Sequence, residues 1–399
     1  MDHMVNTVRP YNWGSATAIA ELTGVEPDGT PQAELWMGAH PTAPSLVRRH
    51  GASRPLNQII EEGPQAELGE PVLRRFGPRL PFLLKLLAAE TPLSLQVHPD
   101  LAGAAAGHKR ENTQGIPLDA PHRNYPDDNH KPEMIVALGS FEGLCGFRAA
   151  RDCAELLDAL NVDRIRRYGA TLRSEPEESA LREVFSAFLT EGASLVDDVA
   201  RAVAREARNA GPHQAAFCGY DSIAQAHPGD PGLLPALMLN HFRLAPGEGL
   251  FLGAGIPHAY IRGLGVEVMA ASDNVLRCGL TSKHVDTQEL LRVITFRAAP
   301  VRVLHPTATD TNNGEAMFAT PVDDFRLSVV RPDPHRGAVT LDSLAPQILL
   351  CAAGTVTVTG PEGEIALPVG SSVYAPAGEP VTVAGKGAVY RATVDVSFP

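Results

Sequence analysis

The spacing of apolar residues along the chain changes period twice. Through residues 1–148 they come in short runs between Pro and Gly, the pattern of buried strands joined by turns. Segments 80–90 (LPFLLKLLAAE) and 93–100 (LSLQVHPD) read as strands around a Thr91-Pro92 turn. Segment 133–138 (EMIVAL) reads as a third, entered through Lys131-Pro132, and 34–45 as a short strand running into a Pro-rich loop. Residues 101–130 are polar and rich in Gly, Pro, Asn and Asp. They predict a long loop beside those strands, of the kind that more often serves function than not.

Near residue 150 the period becomes helical. Leu181, Val184, Phe185, Phe188 and Leu189 share one face. Leu195, Val196, Val199 and Val203 share the next, with Gly211 as its stop, and Leu156, Leu157 and Leu160 mark an earlier helix. No concentration of reactive groups falls in this block, which reads as structural. Strand patterning returns at Leu237, with 245–249 (APGEG) as a turn. After about residue 300 the chain is Val, Thr and Ile between Pro/Gly turns, as in a β-sandwich or barrel. A weak repeat lays 250–258 (LFLGAGIPH) over 373–381 (VYAPAGEPV), so that His258 falls on Val381.

Composition narrows the function. A chain of 399 residues exceeds one compact core and predicts two or three domains. The net charge of −12 speaks against a nucleic-acid partner, since that affinity comes largely from Lys and Arg on phosphates. A local basic cluster can still hold a small anion. The five cysteines form no C-x-x-C pair and are odd in number, which suits reduced thiols in a cytoplasm. With no secretory pattern and no apolar run near ~20 residues, a soluble cytoplasmic protein is expected.

The candidate chemistry centres on 253–284 (GAGIPHAYIRGLGVEVMAASDNVLRCGLTSKH). His258 follows a Gly-x-Pro turn where a strand begins. Gln96 and His98, two apart in a strand-like run, share a face, and Glu133 opens the next strand. Each alone is more often structural; together they suit a first-row divalent ion. One Glu against a dication leaves a site near +1, able to polarise a hydroxyl or carbonyl oxygen. Asn274 and Gly279 predict a loop around Arg277, and a salt bridge to Asp273 is the bland alternative role for that arginine.

PYNWGS, QVHPD, NHKPEMIVAL, FEGLCGF, GIPHAY and GVEVMAASDNVLRCGLTSKH occur in this order from Tyr11 to about Leu291. In them the chain resembles the type I phosphomannose isomerases of the cupin superfamily. The resemblance implies a mainly β fold: cupin-type β-barrels (jelly rolls) with an inserted helical domain. It divides the chain into a catalytic unit (1–148 with 226–300), a helical insertion (149–225) and a metal-free cupin-like unit (301–399). It implies one zinc per chain on Gln96, His98, Glu133 and His258. It also puts Arg277 and Lys131 at the reaction, Lys283 near the substrate phosphate, and Ser94 and Glu267 in pocket segments. The implied reaction is aldose–ketose isomerisation of a small sugar phosphate by a monomer, with no nucleic-acid or membrane partner. Glu267, Asp273, His130 and a metal-bound water stay open as the proton-shuttling base, and Asp273 is also a candidate for binding substrate. Cys278 stands where many members have Ala. The competing readings are an iron-dependent cupin dioxygenase, which the extra Gln and the basic pair oppose, and a non-catalytic sugar-phosphate-binding protein.

Overall fold

The computed structural model describes residues 1–49, 51–309, 314–335 and 337–396. Two eleven-stranded antiparallel sheets carry the fold. The first runs Thr7–Arg9, Glu34–Met37, Phe82–Ala89, His258–Ala270, Glu133–Ala137, Gly249–Leu252 and Val303–Leu304. Its central strand, His258–Ala270, pairs through its second half with Phe82–Ala89 and Glu133–Ala137. Through its first half it pairs with Gln96 and with Phe141–Phe147.

The change of partners falls at Gly263, where φ is +135° and a Cβ would lie 2.8 Å from the Phe141 Cα. Only glycine meets both demands. The strand thereby folds back and brings its two ends together. Glu133, opposite Met269 at one end, reaches His258 at the other with its carboxylate 3.4 Å away.

The second sheet runs Thr307–Ala308, Glu315–Phe318, Arg326–Val330, Val381–Thr393, Gln347–Gly360 and Ser372–Ala375. Three strands from the opposite end of the chain extend it, Asp2–Val5, Leu46–Arg49 and Ala52–Pro55, and Val339–Leu341 and Gly363–Leu367 pair beside this path. Leu84, Leu86, Val266 and Val268 of the first sheet share a core with Leu327, Val329, Ile348 and Leu350 of the second. Burial of such a side chain stabilises by ~1.5–3 kcal/mol. The sequence repeat has a structural counterpart. His258 and Val381 each open a thirteen-residue strand, and Val381 is fully buried in an apolar cluster.

Helices Ala150–Ala159, Arg166–Ser174, Glu177–Phe188, Ala193–Glu206 and Gln214–Ala226 lie between two strands that pair with each other, Phe141–Phe147 and Leu239–Leu244. Leu156, Leu181, Phe185 and Val199 of these helices form one core with Leu95, Val97, Leu276 and Cys278. The helices therefore brace the strands that carry Gln96 and Arg277 from behind.

Two sequence expectations need correction. The supposed loop 101–130 begins with a helix, Leu101–Thr113. It has no apolar stripe to announce it: the residues it buries are Ala104, Gly107 and Glu111. Asp100 caps it, accepting from the Gly103 N–H at 2.6 Å, and Gly107 lets the Tyr125 ring close to where a Cβ would stand. Arg277 lies in a strand, Leu276–Gly279, because its backbone pairs with Leu95–Val97.

Candidate active site

Among the described residues three buried polar atoms lack a hydrogen-bond partner and face one another: His98 Nε2, His258 Nε2 and Glu133 Oε2. Ligand atoms of these residues all lie within 4.8 Å of one another. His98 Nδ1 donates to the Asn274 carbonyl at 2.8 Å, and His258 Nδ1 to the Ile256 carbonyl at 3.0 Å. A carbonyl only accepts, so both ring protons sit on Nδ1 and both Nε2 lone pairs point inward. Gln96 is the cross-strand partner of both His258 and Arg277, on the same face. Unpaired buried polar groups are costly, and a cation among them removes that cost. The donor set of two imidazoles and a carboxylate fits zinc.

Electrostatics keep the ligands in their binding forms. Burial pushes His98 down to about 4, against the pull of Glu133, so its ring stays neutral. Burial alone would raise Glu133, yet Lys131 and the two histidines hold it well below the usual carboxylate range. The His98 shift has a testable consequence for the metal-free protein. A buried His with a depressed pKa contributes stability above its unfolded value of 6.5 that is lost as pH falls toward about 4. The expected loss is about 3 kcal/mol at ~1.4 kcal/mol per unit. Thermal midpoints of chelated protein at pH 7 and 4.5 measure it, and His98→Gln should flatten the difference.

Beside the ligands lies a buried charge chain that sequence reasoning missed in part. Lys85 Nζ stands 3.2 Å from Glu267 Oε2 and 3.5 Å from Glu34 Oε1. Trp36 Nε1 donates to Glu34 at 2.6 Å, and Tyr260 OH donates to Glu267 at 3.1 Å. Burial, reinforced by Glu133 and Glu34, raises the Glu267 carboxyl against the pull of Lys85. Lys85 had a signal in the sequence: one lysine inside the apolar run PFLLKLLAA needs an acidic partner indoors.

The basic residues group near this centre. Lys131 Nζ lies 3.1 Å from Glu133 Oε1. Among the described residues neither Arg277 nor Lys283 forms an ion pair, and the Arg277 charge lowers Lys283. Asp273 is held by His40 rather than by Arg277, which removes the salt bridge considered for that arginine. His130 is tied to Asp324 at 2.9 Å, and Ser94 is half-buried just before the strand of Gln96. Cys278, beside Arg277, belongs to the apolar cluster behind the strand, and burial raises its thiol far above the ordinary range.

A buried two-histidine, one-carboxylate centre on an antiparallel β fold, with Arg277 and Lys283 free of ion pairs among the described residues, is the arrangement of a cupin-type metal site. The family described as phosphomannose isomerase type I, catalytic domain, matches residues 1–150. Mannose-6-phosphate isomerase of Escherichia coli (strain K12) is 39% identical, covering 98% of this chain and 99% of its own. A crystal structure of a phosphomannose isomerase mutant from Salmonella typhimurium superposes with a TM-score of 0.91 at 35% identity, covering 99% of each chain. A zinc-bound holo structure of mannose 6-phosphate isomerase does so at 0.90 and 36%, again over 99% of each. The chain belongs to the type I mannose-6-phosphate isomerase family.

Proposed function

We propose that this protein is a zinc-dependent aldose–ketose isomerase that interconverts mannose 6-phosphate and fructose 6-phosphate. The observation that carries the reading is the convergence of three unpartnered buried ligand atoms from His98, Glu133 and His258. Full-length identity to a mannose-6-phosphate isomerase supports the substrate. Retention of the whole ligand set and of Arg277 favours an enzyme over a silent binder.

Gln96, His98, Glu133 and His258 would hold one zinc per chain. When bound, that ion supplies Lewis acidity toward a sugar oxygen. The remaining work falls to side chains. Isomerisation moves a proton between C2 and C1 while carbonyl and hydroxyl exchange places, through a cis-enediol. Arg277 and Lys131 would neutralise the negative oxygen as it develops, because fixed cations need no reorganisation at that moment. Glu267 would take the proton and return it, since burial and neighbouring carboxylates raise its proton affinity toward the working range. Ser94 and Asp273 would bind sugar hydroxyls, and Lys283 the phosphate. All of these residues fall in 1–148 and 226–300, so the helices (149–225) and the C-terminal unit (301–399) serve as support. Buried free thiols at Cys145, Cys153, Cys278 and Cys351 support a cytoplasmic setting, where we place the protein as a monomer. Among the described residues no helix is long and apolar enough to cross a membrane.

The test is a coupled assay on mannose 6-phosphate before chelation, after it, and after zinc is restored. Undiminished turnover in zinc-free protein overturns the reading. Lys283→Ala should raise KM for mannose 6-phosphate more than it lowers kcat, because the phosphate does not react and its contacts are uniform binding. An unchanged KM would return Lys283 to the solvated surface.

A further inference from the structure

His40 lies in the turn that follows the strand Glu34–Met37. Its Nε2 stands 3.2 Å from Asp273 Oδ1 and 3.1 Å from Oδ2, straddling the carboxylate. On the other side of the ring, the Thr42 backbone N–H reaches Nδ1 at 3.3 Å, and Thr42 Oγ1 lies 3.0 Å away. A backbone N–H can only donate, so Nδ1 is the acceptor. The proton of the neutral ring is therefore on Nε2 and aimed at Asp273. Trp36 meets the imidazole edge-on, with ring centroids 4.7 Å apart.

The two partners differ in exposure. The His40 side chain is 9% exposed and that of Asp273 53%. A fixed, buried imidazole thus holds a carboxylate that is open to incoming groups. Both residues line a cavity of about 410 Å³ with Asn57, Arg79 and Phe82, which none of the metal ligands lines; Asp273 is tied to the metal centre through the next residue, Asn274, whose carbonyl accepts from His98 Nδ1. Among the described residues His40 is the only hydrogen-bond partner of the Asp273 carboxylate. A carboxylate offers about four lone-pair sites, so acceptor capacity is left for sugar hydroxyls. The Asp273 backbone is anchored as well, its N–H donating to Asp127 Oδ2 at 2.7 Å.

We propose that His40 is a positioning residue for the isomerase reaction, fixing the Asp273 carboxylate in the one orientation from which it holds a substrate hydroxyl. The proposal rests on the reading of Asp273 as a residue that touches the sugar. His40 acts only through Asp273, so its loss has no separate effect once Asp273 is gone. Misplacing a group by about 1 Å can cost on the order of 10²-fold in rate, which bounds the effect.

The experiment is a double-mutant cycle on the zinc-loaded protein, read as kcat and KM for mannose 6-phosphate, with zinc content and thermal midpoint on each preparation. Asp273→Asn and His40→Phe should each lower kcat/KM roughly 10- to 100-fold with the same division between kcat and KM. The double variant should fall no further than Asp273→Asn. His40→Gln, whose amide N–H can stand where Nε2–H stood, should recover most of the loss. Zinc and thermal midpoint should stay at the parent values. Normal kcat/KM in His40→Phe beside an impaired Asp273→Asn overturns the proposal, as do additive losses in the double variant. A fully active Asp273→Asn removes the reading of Asp273 itself, and the proposal with it. The adjoining Asn274 carbonyl orients His98, so the cycle is repeated with His40→Ala, which adds no bulk. Zinc loss in both His40 variants overturns the proposal by making His40 a support of the metal site.

Discussion

His258→Ala and His98→Ala proteins should carry far less zinc than the parent and show no measurable turnover. Each histidine is buried, with Nδ1 spent on a backbone carbonyl and Nε2 without another partner. Among the described residues no other histidine, cysteine or carboxylate ligand atom joins the cluster of His98, Glu133 and His258. Removing one imidazole leaves a carboxylate, a single nitrogen and the neutral Gln96 amide, a set that holds the ion poorly. A second readout is independent of activity. Zinc at 100 times its dissociation constant stabilises the parent by about 2.7 kcal/mol, and the variants should lose that response in a thermal scan. Gln96→Ala should be milder, because water can replace a neutral oxygen ligand. Full zinc occupancy in both histidine variants would remove these residues from the site.

Arg277→Ala should lower kcat by about 10²–10³, or ~3–4 kcal/mol, the usual effect of deleting one preorganised donor to a developing oxyanion. Zinc content and thermal midpoint should stay near those of the parent. Arg277 forms no ion pair among the described residues, and its strand is held by backbone pairing with Leu95–Val97 and by the helical core behind. Burial lowers its guanidinium from its high ordinary value, and an arginine stays charged at any working pH. Arg277→Lys should restore only part of the rate, since it keeps the charge without the planar fork. The three measurements belong on one preparation. Loss of kcat alone places Arg277 in the chemistry, whereas loss of zinc and stability together with kcat makes it structural.

Much of this architecture was legible because local chemistry and tertiary role agree. Where strands are buried on a sheet face, the chain spells them as apolar runs, and Phe82–Ala89 and Glu133–Ala137 fall where the runs predict. The helices Glu177–Phe188 and Ala193–Glu206 carry their buried residues at helical spacing for the same reason. The expectation that Gln96 and His98 share a face comes from strand alternation alone, while the strand itself is Leu95–Val97 and His98 follows it. The helix Leu101–Thr113 stayed hidden because it packs through alanine, glycine and a buried glutamate, which leave no period to read.

What the sequence alone determined is the buried strands, the amphipathic helices, the candidate ligands and, through motif order, the family resemblance. Those follow from local spacing and from residue chemistry. Tertiary structure decided which residues meet. Glu133 and His258 are 125 positions apart, and only the fold-back of one strand at Gly263 brings the carboxylate to the imidazole. The same closure set Lys85 between Glu34 and Glu267, and gave Asp273 to His40 instead of Arg277. Charges choose partners through space, and the distances that govern their energies exist only after the sheet has closed.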